Sequence, residues 1–308
     1  MDKEIKKNKK LEQELNKKYN TKSVAYTADI SNKKDVIKMK NAIVKKFKRI
    51  DILINNAFYN PNQSKYSSVS LEKFPLELWN EMINVNLSGV FLCSQEIGSI
   101  MAKQKTGVIV NIASIYGLVG ADQRIYGKNK LLIERYGTKK HEESHQNNAG
   151  IDFRSIRFPG IISPYTIPNG GTTDFAPQML HAAAVFLLKN GEEEYECKIS
   201  ADTKLPFIGI EEAINSIIRI MNMEDIASQL RSFNIQEISL TPSQIIDTIK
   251  KEFPNFSIKY NVEEKLQSVA DTWPDSLNCE KAKKEWDFST QYDPVSYTHL
   301  TLPTILLV

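Results

Sequence analysis

GVIVNIAS at residues 107–114, running into the glycine-bearing stretch IYGLVGADQRIYG at 115–127, decides the fold. The run is mostly apolar, rich in β-branched residues and bounded by glycine, which suits a strand buried inside a parallel sheet. Working outward, IDILI (50–54) is a second run apolar enough to be buried on both faces of a sheet, and FRSIRF (153–158) is a third. Pro159-Gly160 ends that third run, because proline lacks the donor a continuing ladder needs. Helical patterns separate these runs. Val36, Met39, Ile43 and Phe47 define one face of a helix that Ser31 can cap. A longer helical segment spans about 77–103, with Trp79, Met82, Ile83 and Leu87 at one end and Val90, Phe91, Ile97 and Met101 at the other. Further upstream, Ile5, Leu11, Leu15 and Tyr19 fall at helical spacing, and SVAYTADI (23–30) alternates as a strand does. Strand and helix alternate, so the sequence predicts an α/β fold with a layered parallel sheet.

The rhythm changes after residue 160. PYTIPNGGTTD (164–174) is a Pro/Gly loop, and helices are expected at 174–189 and 211–223. The second of these carries Ala213, Ile214, Ile217, Ile218 and Met221. A strand follows at 233–240, and Thr241-Pro242 opens another helix by cap-then-proline logic. The expected organisation is a sheet-bearing part at 1–160, a small lobe at 161–290 mixed with the last sheet strands, and a tail at 291–308. The lobe closes over the carboxyl ends of the strands.

Net charge is only +3 over 308 residues, but residues 1–50 hold 16 Lys/Arg against 6 Asp/Glu. Such a block can attract a polyanion, yet no stacking aromatics or base-reading motif accompany it, so a solvated helix face fits better. No nucleic-acid partner is expected. Three cysteines (Cys93, Cys197, Cys279) without C-x-x-C spacing suit a reducing compartment. No apolar stretch approaches the length of a membrane span, and MDKEIKKNKK lacks the apolar centre of a signal peptide. A cytoplasmic protein with no membrane partner is the default.

Chemistry concentrates between residues 114 and 130. Tyr126 and Lys130 stand four apart in a segment, 126–137, that reads as helix, so both fall on one face. A cation near a phenol favours phenolate and lowers the tyrosine pKa from about 10 toward neutrality. The result is a base for the proton of a substrate alcohol, while Ser114, at a strand's carboxyl end, steadies the reacting oxygen. Spacing alone also allows a surface tyrosine and lysine beside an ordinary loop serine.

The first half resembles the classical short-chain dehydrogenases/reductases at several points in proper order. ADI (28–30) is similar to their adenine-side aspartate motif, with Asp29 the acid. Asn55-Asn56-Ala57 resembles their Asn-Asn-Ala-Gly stretch, NVNLSGVFLC (84–93) their helix with an active-site asparagine, here Asn86, and VNIAS (110–114) delivers the serine. In the second half YGKNK (126–130), IDFRSIRFPGIIS (151–163), GGTTDF (170–175), DTKLP (202–206) and ADTWPDS (270–276) resemble landmarks of the short-chain type of L-threonine 3-dehydrogenase, an extended branch related to nucleotide-sugar epimerases. The resemblance implies a Rossmann-like sheet, NAD as cofactor, a small-molecule alcohol or amino acid as substrate, and a homodimer. It implies catalytic roles for Ser114, Tyr126, Lys130 and Asn86, and cofactor contacts from Asp29, Asn55, Asn56, Ala57, Pro159 and Gly160. Gly171, Thr172, Thr173, Trp273 and Ser114 would enclose the substrate, and Arg157 would lie beside the nicotinamide.

Three departures qualify the resemblance. The first strand, its glycine-rich turn and the second strand have no counterpart, so the sheet is expected to be incomplete and strong cofactor binding compromised. Phe58 replaces the glycine of Asn-Asn-Ala-Gly, where a benzyl group must point away or intrude. At Tyr126 the likeness switches from one branch to the other, as in a chimeric or N-terminally truncated sequence, and the tail VSYTHLTLPTILLV (295–308) has a non-native look. HEESH (141–145) has the form of a zinc motif, but it lies in a polar run with no apolar face, so no metal is expected. The competing functional readings are a catalytically impaired binding or interaction protein on the dinucleotide fold, a classical alcohol or sugar reductase, and an epimerase-like enzyme.

Overall fold

A computed structural model describes residues 2–59, 73–114, 151–163, 172–188, 194–223 and 231–290. Helices α1 (Asp2–Tyr19) and α2 (Lys33–Phe47) precede strand β1 (Ile52–Asn55). Helix α3 (Leu76–Ile83) passes through a π-helical turn (Asn84–Gly89) into α4 (Val90–Gln104). Then come β2 (Gly107–Ser114), β3 (Ile151–Phe158), β4 (Gly160–Ile162), α5 (Phe175–Leu188), β5 (Tyr195–Cys197), β6 (Leu205–Gly209) and α6 (Ile210–Asn222). The chain finishes through β7 (Ser232–Asn234), β8 (Ile238–Leu240), α7 (Pro242–Glu252), β9 (Ile258–Tyr260), α8 (Glu264–Ala270) and α9 (Glu280–Trp286).

The main sheet is parallel throughout, in the order β1-β2-β3-β7. All eight residues of β2 are in register with β3, from Gly107 opposite Ile151 to Ser114 opposite Phe158. Alternate side chains along these strands serve opposite faces. Ile109 and Phe153 pack with Ile97, Met101 and Leu53 and with Met39 and Ile43 of α2, which covers one face together with α4. Val110, Ile156 and Phe158 pack with Ala213 and Ile220 of α6 and Ala282 and Trp286 of α9 on the other. The β3–α6 contact is pinned by buried Arg154, whose guanidinium donates to the Ile220 carbonyl and, at 2.8 Å, to that of Met223. Asp152 holds both Arg154 and Arg231 through its two oxygens.

A second layer contains the sheet β4-β6-β8, the parallel pair β5-β9 and a core built around Phe175, Met179, Phe207, Ile249 and Trp273. The sharpest local prediction holds here. Thr241 forms a capping box with Gln244 and Pro242 occupies the first turn of α7.

Four expectations are corrected. SVAYTADI forms no strand; residues 20–29 carry no regular structure. Among the described residues no strand lies alongside to pair with it, and side chains of α1 take its donors instead: Ser23 N–H bonds Asn16 Oδ1 at 2.6 Å and Ala25 N–H bonds Glu12 Oε2 at 2.7 Å. The cap of α2 is Asn32, which accepts from Lys34 N–H, while Ser31 turns back to Asp29. IDILI is not buried on both sides, because among the described residues no helix covers its second face and Ile52 and Ile54 are 41% and 42% exposed. The stretch 233–240 is two strands in two sheets, broken at 235–237, since β7 extends the main sheet and β8 runs antiparallel to β6. Among the described residues no helix is long and apolar enough to cross a membrane.

Candidate active site

The carboxyl ends of β1, β2 and β3 face the same way, so the residues following them share one rim of the sheet. Ser114 is the last residue of β2. Tyr126, Lys130 and Gly171 lie outside the described residues, as does HEESH; among the described residues no cluster has the makings of a metal site.

Asn86 sits in the π-helical turn and is 3% exposed. A wider turn displaces one residue from the regular ladder, a device that aims side chains at functional places. Its amide accepts from Tyr59 N–H at 2.8 Å and donates to the Tyr59 carbonyl at 2.9 Å. The segment after β1 is thereby fixed to the middle of the α3–α4 rod. The Tyr59 hydroxyl adds a bond to Glu81 Oε2 at 2.9 Å.

Asn55 is turned into the fold rather than toward the rim. Its amide donates to Ser94 Oγ at 3.1 Å and to Asn111 Oδ1 at 2.9 Å, and Asn111 is its register partner on β2. Asn56 and Ala57 are exposed at the rim, and so is Phe58. Asp29 is exposed, with Oδ1 occupied by Ser31 N–H at 2.9 Å and Ser31 Oγ at 2.7 Å. Pro159 and Gly160 are buried where β3 hands over to β4. A Cβ on Gly160 would stand 2.8 Å from both the Phe207 ring and Thr173 Cβ, so only glycine lets the loop at 172–174 close onto the end of β3. Thr172 is buried beside it, Arg157 bonds Asn234 Oδ1 at 3.1 Å, and Trp273 packs in the core of the second layer.

The structure thus brings Asn86, the end of β2 and the Gly160–Thr173 contact to one side of the sheet, and gives Asn55 and Trp273 internal positions. Sequence reasoning missed Tyr59, Ser94 and Asn111. Asn111 had a visible signal, a lone amide inside an apolar strand, which must find a partner when buried. Burial pushes the thiol of Cys93, one residue before Ser94, up to about 11, so it offers no nucleophile here.

Asp29, Asn56 and Ala57 are the exposed positions that could hold a dinucleotide. The exposed Asp29 carboxylate can accept from an amino group, and Asn56 and Ala57 stand exposed at the rim. No glycine-rich turn able to wrap a pyrophosphate occurs among the described residues.

A parallel α/β sheet with polar groups gathered at its carboxyl rim places the molecule in the Rossmann-like class. Residues 1–166 match the family model for short chain dehydrogenases, and the chain belongs to that family. It is 34% identical over 169 residues to the mitochondrial L-threonine 3-dehydrogenase of Bos taurus, covering 55% of this chain and 42% of the relative. It is 35% identical over 186 residues to an uncharacterized epimerase/dehydratase of Staphylococcus haemolyticus, with 59% and 54% covered. The chain spans about half the length of these curated relatives. The solved L-threonine dehydrogenase of Clostridium difficile superposes with a TM-score of 0.74 at 25% identity, over 96% of this chain and 93% of that one.

Proposed function

We propose that the chain is an NAD-dependent oxidoreductase that oxidises a secondary alcohol, with L-threonine, converted to 2-amino-3-oxobutanoate, as its substrate. The observation that carries this reading is the contact of Thr173 with Gly160. It lays the loop resembling threonine dehydrogenases on the strand end next to the one that bears Ser114. The likeness to L-threonine 3-dehydrogenases of known structure supports the same substrate.

In this reading residues 161–290 act as the substrate lobe, with Gly171, Thr172 and Thr173 around the amino acid. Ser114 Oγ holds the substrate hydroxyl. Tyr126, acidified by Lys130, takes the hydroxyl proton. When bound, the nicotinamide supplies the acceptor for the hydride leaving the carbinol carbon. Asn86 positions the segment around Tyr59, and Asp29, Asn56 and Ala57 border the cofactor.

The test is turnover of L-threonine with NAD, followed by the absorbance of the reduced nicotinamide. Tyr126→Phe should lower kcat at least about 100-fold; an unchanged rate in that variant would remove the catalytic assignment. Phe58 at the rim favours a second reading, a dinucleotide-fold protein that binds partners without turnover. Calorimetric titration with NAD separates the two, since micromolar binding supports the enzyme.

A further inference from the structure

Two crossings of the chain between the main sheet and the second layer run side by side. One is residues 235–237, which leave β7 and enter β8. The other is residues 274–279, which lead from Trp273, in the core of the second layer, to α9 on the main sheet. Side chains of the first hold the main chain of the second. Gln236 Oε1 accepts from Leu277 N–H at 2.5 Å, and Gln236 Nε2 donates to Ser239 Oγ at 2.8 Å. Asn234, the last residue of β7, donates to the Asn278 carbonyl at 3.2 Å and accepts from Arg157 at 3.1 Å. Between these bonds the Leu277 side chain packs against both cores. A cleft of about 380 Å³ is bordered by Gln236, Leu277 and Asn278. Packing is therefore incomplete at this junction, and the side-chain bonds carry it.

The junction leads in two directions. Toward the second layer, the next residue, Glu237, donates its N–H to the Phe207 carbonyl at 3.0 Å and accepts from Gly209 N–H at 3.1 Å. Phe207 is the residue whose ring stands with Thr173 around Gly160. Toward the main sheet, Asn234 is in register with Arg157, and Arg157 with Ala113, one residue before Ser114. The same two side chains thus tie the threonine loop to the strand ends beside Ser114.

We infer, on the reading of this rim as a threonine-oxidising site, that Asn234 and Gln236 are positioning residues. By joining the two crossings they fix the second layer on the sheet. The loop at 172–174 and Ser114 are thereby held at the separation that suits one substrate, so the pair governs substrate affinity without touching the substrate.

Two variants of Gln236 in the full chain test this. Gln236→Leu removes the acceptor for Leu277 N–H, whereas Gln236→Glu keeps it and can accept from Ser239 instead of donating. In Gln236→Leu the KM for L-threonine should rise at least about tenfold with kcat within about twofold, the pattern of lost binding rather than lost chemistry. Gln236→Glu should return KM to within about threefold of wild type, and Asn234→Ala should move KM as the leucine variant does. A residue that merely supports the fold would lower the active fraction, and so kcat, and leave KM unmoved. Hydrogen exchange supplies a readout that needs no turnover. The Leu277 amide should exchange at least about tenfold faster in Gln236→Leu and at the wild-type rate in Gln236→Glu. Unchanged exchange in the leucine variant, an unmoved KM, or no rescue by glutamate overturns the assignment. If the wild-type chain does not turn over L-threonine, the functional reading fails by itself. The positioning role then stands only if Gln236→Leu speeds exchange both at Leu277 and in the loop at 172–174, and falls otherwise.

Discussion

The side-chain amide of Asn86 closes a two-bond ring on the backbone of Tyr59, accepting its N–H at 2.8 Å and donating to its carbonyl at 2.9 Å. A planar amide can do both at once, as a neighbouring strand would. Asn86→Ala leaves both Tyr59 groups without that partner in a buried setting, at a cost of about 2 kcal/mol. Asn86→Asp keeps the acceptor and loses the donor, so it should fall between wild type and alanine. Urea unfolding midpoints check the order; an alanine variant as stable as wild type refutes the clamp.

Gly160→Ala tests the contact between the strand end and the threonine loop. The added methyl meets the Phe207 ring and Thr173 at 2.8 Å, and the Phe207 ring is fully buried in the core. Overpacking of this kind costs about 1–3 kcal/mol, and the loop must lift to accept it. Thermal unfolding should show the loss. If L-threonine is the substrate, its KM should rise more than kcat falls.

Burial governs the thiols. Cys93 and Cys279 are pushed up to about 11, and Cys197 is raised by the same cause. At pH 8 the thiolate of the first two is roughly one part in a thousand. A thiol-specific reagent should therefore leave the folded chain nearly untouched and modify all three cysteines in denaturant. Fast modification of one cysteine in the native protein contradicts its burial.

Glu212 gives a pH signature of definite sign. Burial, with Glu237 adding to it, raises its pKa above the ordinary carboxylate value, so the folded state holds this proton more tightly than the unfolded chain does. Its favourable contribution is complete below the unfolded pKa and is lost as pH climbs through the folded one. Glu212→Gln removes the charge that must otherwise be buried and should raise Tm by about 1–3 °C at pH 7 while changing little at pH 4. A lower Tm at neutral pH would mean that the ionised carboxylate is favoured.

Much of the layering could be read from residues 107–114 and 151–158, because strands buried on both faces must be apolar almost throughout and few other structures tolerate that. The capped start of α7 was equally legible, since Thr241, Pro242 and Gln244 act within one turn. Misreadings arose where the outcome depends on distant neighbours. Val24 and Tyr26 alternate as strand residues do, but a strand needs a partner, and α1 supplied side-chain acceptors first. Ile52 and Ile54 carry an interior pattern on a face that nothing described covers. At the candidate site, Asn86 was named from its motif, whereas its partner Tyr59 follows only from the turn that swings the amide across. Asn55 is read as a cofactor contact; its bond to Asn111 on the neighbouring strand follows only from the register of β1 with β2.

The full-length register of β2 with β3 also bears on how the molecule assembles. Gly107 and Ile151 open that register, yet more than forty residues of chain separate them. Closing so large a loop sacrifices entropy before any inter-strand bond is gained, and each strand lacks a hairpin turn to guide it. The α3–α4 rod and its hand-over to β2 involve near neighbours and should organise early. The barrier to folding should then coincide with arrival of β3, so that softening Met82 in the early rod slows refolding, as does softening Ile156, and neither change chiefly hastens unfolding.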